Sequence, residues 1–138
     1  MTGFGPKRVY AYVVADLIHI GHLLHLQKCN QYGHLTVGVL TDKATMEKKP
    51  KPIIPFVERM AIVAALKCVD KVIPQETYSP LENVKKLKPD FLIESESHPE
   101  QPANEFVKSY GGKIIQSTYY NAQSSTKIKK RILENGSR

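Results

Sequence analysis

The chain has 138 residues, 41% of them hydrophobic and 24% charged, with a formal net charge of +7. That length suits a single domain, residues 1–138, with room for a sizeable core, and the composition excludes disordered and fibrous classes. No apolar run approaches the about 20 residues of a membrane helix, and the short polar N-terminus lacks a signal-peptide pattern, so a cytoplasmic protein with no membrane partner is expected.

Strand and helix signals alternate along the chain. Val9 to Ala15 is an apolar run that reads as a buried strand. A helix is expected from about Gly21 to Tyr32, stopping near Gly33. Leu35 to Leu40 reads as a second strand, buried on both faces. A basic, proline-bearing loop follows from Lys43 to Pro55, and Pro55 fits the first position of a helix running to about Lys67. Val72-Ile73 reads as a third strand. Ser79, Pro80 and Glu82 form a helix start with a capping box, and that helix ends before Pro89. Phe91 to Ile93 reads as strand four and Glu94 to Pro102 as a polar loop. A short helix ends at Gly111-Gly112, Lys113 to Gln116 reads as strand five, and a polar loop leads to a last helix from Ser124. This alternation predicts an α/β fold with a doubly wound, five-stranded parallel sheet. Ligands in such sheets bind beyond the carboxyl ends of the strands.

The basic residues bound the partners. Most are spread over helix faces, and the clusters Lys43 to Lys51 and Lys127 to Arg131 have no interleaved aromatics of the single-strand-binding kind. Small polyanions account for the charge, and no nucleic acid is expected. Cys29 and Cys68 lack metal-ligand spacing and read as reduced thiols.

The most informative stretch is His19-Ile20-Gly21-His22, placed where the first strand turns into a helix. A helix N-terminus presents unpaired N–H groups and the positive end of the dipole, which attract phosphate. Gly21 has no Cβ and allows close approach. Each imidazole can donate hydrogen bonds. At the other end of the chain, Lys127, Lys129, Lys130 and Arg131 load the first turns of the last helix, where the macrodipole disfavours cations unless an anion binds there.

Asp16-Leu17-Ile18-His19-Ile20-Gly21-His22 resembles the HxGH signature of the nucleotidyltransferase superfamily. Ser124-Ser125-Thr126-Lys127-Ile128-Lys129 is similar to the S-[ST]-T-x-I segment of its cytidylyltransferase branch. The resemblance runs from about Arg8 to Ile132. It implies a Rossmann-like fold, a homodimer, and transfer of CMP from CTP to a phosphate or phosphonate monoester with release of pyrophosphate. Mg²⁺ would be carried mainly by the nucleotide, since no carboxylate cage is evident in the sequence. The resemblance also implies the site. His19, His22, Lys48 and Arg59 would act on the phosphates, while Val14, Ala15, Asp16, Gly21, Ser124, Ser125, Thr126 and Lys127 would hold the nucleotide. Asp16 would sit beside the phosphates, meeting a lysine or ordering the loop.

Two alternatives stay open. HxGH also serves adenylyl transfer from ATP. A nucleotide-binding domain without turnover is the other, because Val13-Val14-Ala15-Asp16 stands where the family has G-[TS]-F-D and Tyr119-Tyr120 where it has R-T. The A-D-L-x-H-x-G-H form resembles cytidylyltransferases of phosphonate metabolism.

Overall fold

The computed structural model describes residues 5–95, 101–117 and 125–136. In chain order the elements are β1 (Arg8–Val13), α1 (Ile20–Asn30), β2 (His34–Leu40), α2 (Asp42–Thr45), α3 (Phe56–Ala64), β3 (Lys71–Gln75), α4 (Leu81–Leu87), β4 (Phe91–Ser95), α5 (Pro102–Ser109), β5 (Lys113–Ser117) and α6 (Ser125–Gly136). The five strands form one parallel sheet in the order β3-β2-β1-β4-β5. The chain therefore winds outward from β1 to β3, then returns to β4 on the other side of β1. That reversal puts the ligand crevice of the fold between the carboxyl ends of β1 and β4.

Alternation along the strands sorts side chains to the two faces. Val9 and Ala11 of β1 pack with Leu26 and Cys29 of α1 and Val63 of α3. Tyr10, between them, faces the opposite way and packs with Val84 of α4 and Val107 of α5. Both cysteines are free thiols, and burial pushes the Cys29 thiol up to about 12. No helix among the described residues is long and apolar enough to cross a membrane.

The element boundaries differ from expectation where local signals compete. The Lys43–Pro55 segment contains a short helix, α2, capped by the Thr41 hydroxyl, which accepts the Ala44 N–H at 3.0 Å. Pro55 stands at the N-cap of α3 rather than inside it, and α3 ends at Ala64 rather than Lys67. Ser79 lies one residue before the N-cap of α4. Its hydroxyl still accepts the Leu81 N–H at 3.2 Å, while Pro80 takes the cap position. Strand β4 continues through Glu94 and Ser95, which were expected to lie in a loop.

A buried polar cluster fixes β1 against β3 and α4. The Tyr10 hydroxyl donates to Gln75 Oε1 at 2.5 Å and accepts from Asn83 Nδ2 at 3.0 Å. Gly38, on the neighbouring strand, leaves the room for it: a Cβ there would lie 1.8 Å from the Tyr10 hydroxyl oxygen. Gly38→Ala is therefore expected to cost about 3 kcal/mol through overpacking and a broken buried hydrogen bond. The check is a lower urea midpoint at unchanged slope. An unchanged midpoint would mean that Tyr10 moves aside freely.

Candidate active site

The turn from β1 to α1 is built from unusual backbone. Ala15 and Leu17 both adopt left-handed conformations, with φ of 61° and 56°. Each costs about 1–2 kcal/mol for a residue with a Cβ. Such strain persists only where surrounding contacts hold it, and here they do. The carbonyl of Val14 accepts from Arg59 Nη1 at 2.7 Å, and that of Asp16 accepts from the Ser125 hydroxyl.

The two imidazoles cap α1 reciprocally. His19 is the N-cap, and its Nδ1 accepts the Gly21 N–H at 2.9 Å. His22 Nδ1 accepts the His19 N–H at 3.2 Å. The ring centroids are 4.2 Å apart. A backbone N–H can only donate, so both Nδ1 atoms are unprotonated acceptors. Each neutral ring must then carry its proton on Nε2. The cap thus produces two Nε2–H donors at a helix N-terminus. His19 Nε2 is buried and has no hydrogen-bond partner among the described residues. A buried donor left open in this way marks a candidate position for a ligand oxygen.

Burial holds the rings neutral. It lowers the His19 pKa, and it takes His22 down to about 4, helped by the neighbouring imidazoles of His19 and His25 and opposed by Asp16. His25 is also lowered by burial, and its Nδ1 lies 3.0 Å from the Ser117 hydroxyl at the end of β5.

A stability prediction follows from His22. An ordinary histidine titrates at 6.5, and His22 at about 4 when folded. Between those values the unfolded chain binds the extra proton, so stability is lost as pH falls from 6.5 toward 4. The urea midpoint should decline across that window, and His22→Gln should flatten the decline. The same decline in the variant would place the effect elsewhere.

Asp16 ties three segments together. It is 3% exposed. Its carboxylate accepts the N–H groups of Ile53 at 2.9 Å and Ile54 at 3.0 Å, and pairs with Lys129 Nζ at 2.6 Å. Burial alone would raise its pKa, but Lys129 and the two N–H groups together hold the carboxyl below its usual value. The acid thus both meets a lysine and orders the loop before α3. The Ser125 hydroxyl donates to the carbonyl of Asp16 and, at 3.4 Å, to that of Leu17. Ser125 and Lys129, four residues apart, share one face of α6.

The remaining expected site residues sit as follows. Arg59 is fully buried, and it departs from the phosphate-contacting role implied by resemblance. Its Nε donates to the Ile54 carbonyl at 2.9 Å, Nη1 to the carbonyls of Val14 and Leu40 at 2.7 Å each, and Nη2 to Asp42 Oδ1 at 2.6 Å. In this arrangement it clamps β1, β2 and the pre-α3 loop beneath the site. The Gly21 N–H is engaged in the cap, so Gly21 offers that donor to His19 rather than to a ligand. Lys48 is exposed in the loop after α2, and Thr126 and Lys127 are exposed in the first turn of α6. Ser124 lies outside the described residues, as do Tyr119 and Tyr120.

A second polar group, not anticipated from the sequence, ties the ends of β1 and β4 to the start of α5. The Tyr12 hydroxyl donates to Glu94 Oε2 at 2.7 Å, and Gln101 Nε2 donates to Tyr12 at 2.9 Å and to Glu94 Oε1 at 2.6 Å. Burial and the adjacent Glu94 carboxylate push the Tyr12 phenol far up, so it stays a donor. The two-residue spacing of Tyr10 and Tyr12 on one strand face was the available signal. Among the described residues no three His, Cys, Asp or Glu side chains are placed to hold a metal ion.

Comparison with known proteins bears on the family and the fold. The chain is similar to the bifunctional protein HldE of Geobacter metallireducens, 33% identical over 134 residues that cover 94% of this chain and 27% of that protein. It is 34% identical over 135 residues to HldE of Pelobacter propionicus, covering 94% of this chain and 28% of that one. The chain therefore spans little more than a quarter of these relatives. A crystal structure of a lipopolysaccharide core biosynthesis protein from Thermoplasma volcanium superposes with a TM-score of 0.76 at 27% identity, over 85% of this chain and all of that one. The model of the cytidylyltransferase-like family matches residues 14–131, from the strained turn through α6, and the chain belongs to that family of nucleotidyltransferases.

Proposed function

We propose that the chain transfers CMP from CTP to a phosphate or phosphonate monoester. The acceptor oxygen attacks the α-phosphorus, a new P–O bond forms, the bond to the β-phosphate bridging oxygen breaks, and pyrophosphate leaves. The acceptor oxygen is already ionised near neutral pH, so the reaction needs no general base. Catalysis then consists of positioning and charge stabilisation.

The observation that carries this reading is the reciprocal imidazole cap, which aims two Nε2–H donors from a helix N-terminus. In the reaction these donors stabilise the charge that develops on the phosphate oxygens. Lys48 and the first turn of α6, with Thr126 and Lys127, supply further positive charge to the triphosphate. Mg²⁺, when bound, neutralises phosphate oxygens and is brought by the nucleotide.

CTP is favoured by the similarity of Ser125-Thr126-Lys127-Ile128-Lys129 to the cytidylyltransferase segment. ATP fits the described site equally, because the imidazole donors meet phosphate and not base. The crystal relative named for lipopolysaccharide core biosynthesis makes sugar phosphates one acceptor class to try.

The test is pyrophosphate release with each NTP against a panel of sugar phosphates, phosphorylated alcohols and phosphonates. Release that requires both CTP and one acceptor class is expected. Release with ATP alone would transfer the reading to adenylyl transfer. Binding of NTPs without release under any pairing would leave a nucleotide-binding domain.

A further inference from the structure

Helix α6 has no buried residue among those described. Among its attachments to the rest of the chain are Ser125, on the carbonyls of Asp16 and Leu17, and Lys129, on the Asp16 carboxylate. Asp16 is buried, whereas a third of the Lys129 side chain is exposed. The same carboxylate accepts the Ile53 and Ile54 N–H groups, and its charge reaches His22. An unneutralised carboxylate at this place would repel a triphosphate arriving at the imidazole pair. It would also lose the counterion that lets it stay buried and hold the loop.

We propose that Lys129 is a positioning residue for the triphosphate: it neutralises the buried Asp16 and, through it, keeps the Ile53–Ile54 loop and α6 docked on the turn that leads into the imidazole pair. This role rests on the nucleotidyl-transfer reading for its ligand, but its loop-holding part acts without ligand. Lys127, two residues away, projects from the opposite side of the helix to Lys129.

The experiment compares Lys129→Met, Lys129→Arg and the double variant Asp16→Asn/Lys129→Met in the full chain. Two quantities are read: amide exchange at Ile53 and Ile54 relative to the core amide of Val37 without ligand, and calorimetric affinity for inorganic tripolyphosphate. Lys129→Met should speed relative exchange at the loop and weaken tripolyphosphate by about tenfold or more. Lys129→Arg should keep both near wild type. The double variant should regain most of the affinity, because the buried charge is gone, although asparagine keeps only one of the two loop acceptors. A double variant as weak as Lys129→Met would overturn the proposal, since the lysine would then meet the anion itself. Unchanged loop exchange in Lys129→Met would overturn it as well. Failure of the wild type to bind either tripolyphosphate or any NTP would sink the nucleotidyl-transfer reading, while the exchange data would still decide the role of Lys129 at the loop.

Discussion

Arg59→Ala is expected to destabilise the fold by about 3–5 kcal/mol, the cost of emptying a fully buried side-chain site and leaving several backbone acceptors and a partly exposed carboxylate unpaired. The guanidinium satisfies Asp42 and the carbonyls of Val14, Leu40 and Ile54, which come from three different segments. Removing it takes the guanidinium from all four acceptors, of which Asp42 is partly exposed and the Leu40 carbonyl is buried. Arg59→Lys should recover only part of the loss, because an ammonium cannot reproduce a planar fork of donors. Urea denaturation of both variants, without ligand, is the measurement. Wild-type stability in Arg59→Ala, together with lost NTP affinity, would instead make the arginine a phosphate contact.

His19→Asn is expected to lower turnover by about two to three orders of magnitude, the scale of losing one preorganised donor to developing charge. Asparagine is chosen because its side-chain oxygen can still accept an N–H at the start of α1 and so preserve the cap. It cannot present a donor where His19 Nε2 stands. His22→Gln should lose activity on a similar scale. The fold should survive in both, since neither ring belongs to the apolar core clusters. Turnover within a few-fold of wild type in both variants, with intact stability, would remove the imidazoles from the reaction.

Much of the fold was legible because the strands are apolar runs bounded by turn residues, and these signals are local. The placement of His19 and His22 at a strand-to-helix turn was legible for the same reason. Arg59 was not. Glu58-Arg59 opens an amphipathic helix and reads like an exposed basic position, and its burial depends on carbonyls distant in the chain that no local pattern brings together. Helix α2 escaped because four residues are too few for periodicity to register, although Thr41 already stood three residues before Ala44. In α6, attention to charge at the helix start favoured Lys127. Lys129, which pairs with Asp16, lies four residues from Ser125 and so on the same helix face, a spacing that acquires meaning only once Ser125 is seen on the Asp16 carbonyl. The half-buried Tyr12–Glu94–Gln101 group joins β1, β4 and the start of α5, and the sheet order makes them neighbours.

In the proposed reaction two neutral imidazoles, fixed by backbone N–H groups on Nδ1, present Nε2–H donors to phosphate. Nitrogen chemical shifts of the histidine rings at neutral pH test it directly. His19 and His22 are each expected to show an unprotonated Nδ1 and a protonated Nε2, with the Nε2 signals shifting when CTP or ATP is added. A proton on either Nδ1, or an imidazolium in the free protein at neutral pH, would contradict it.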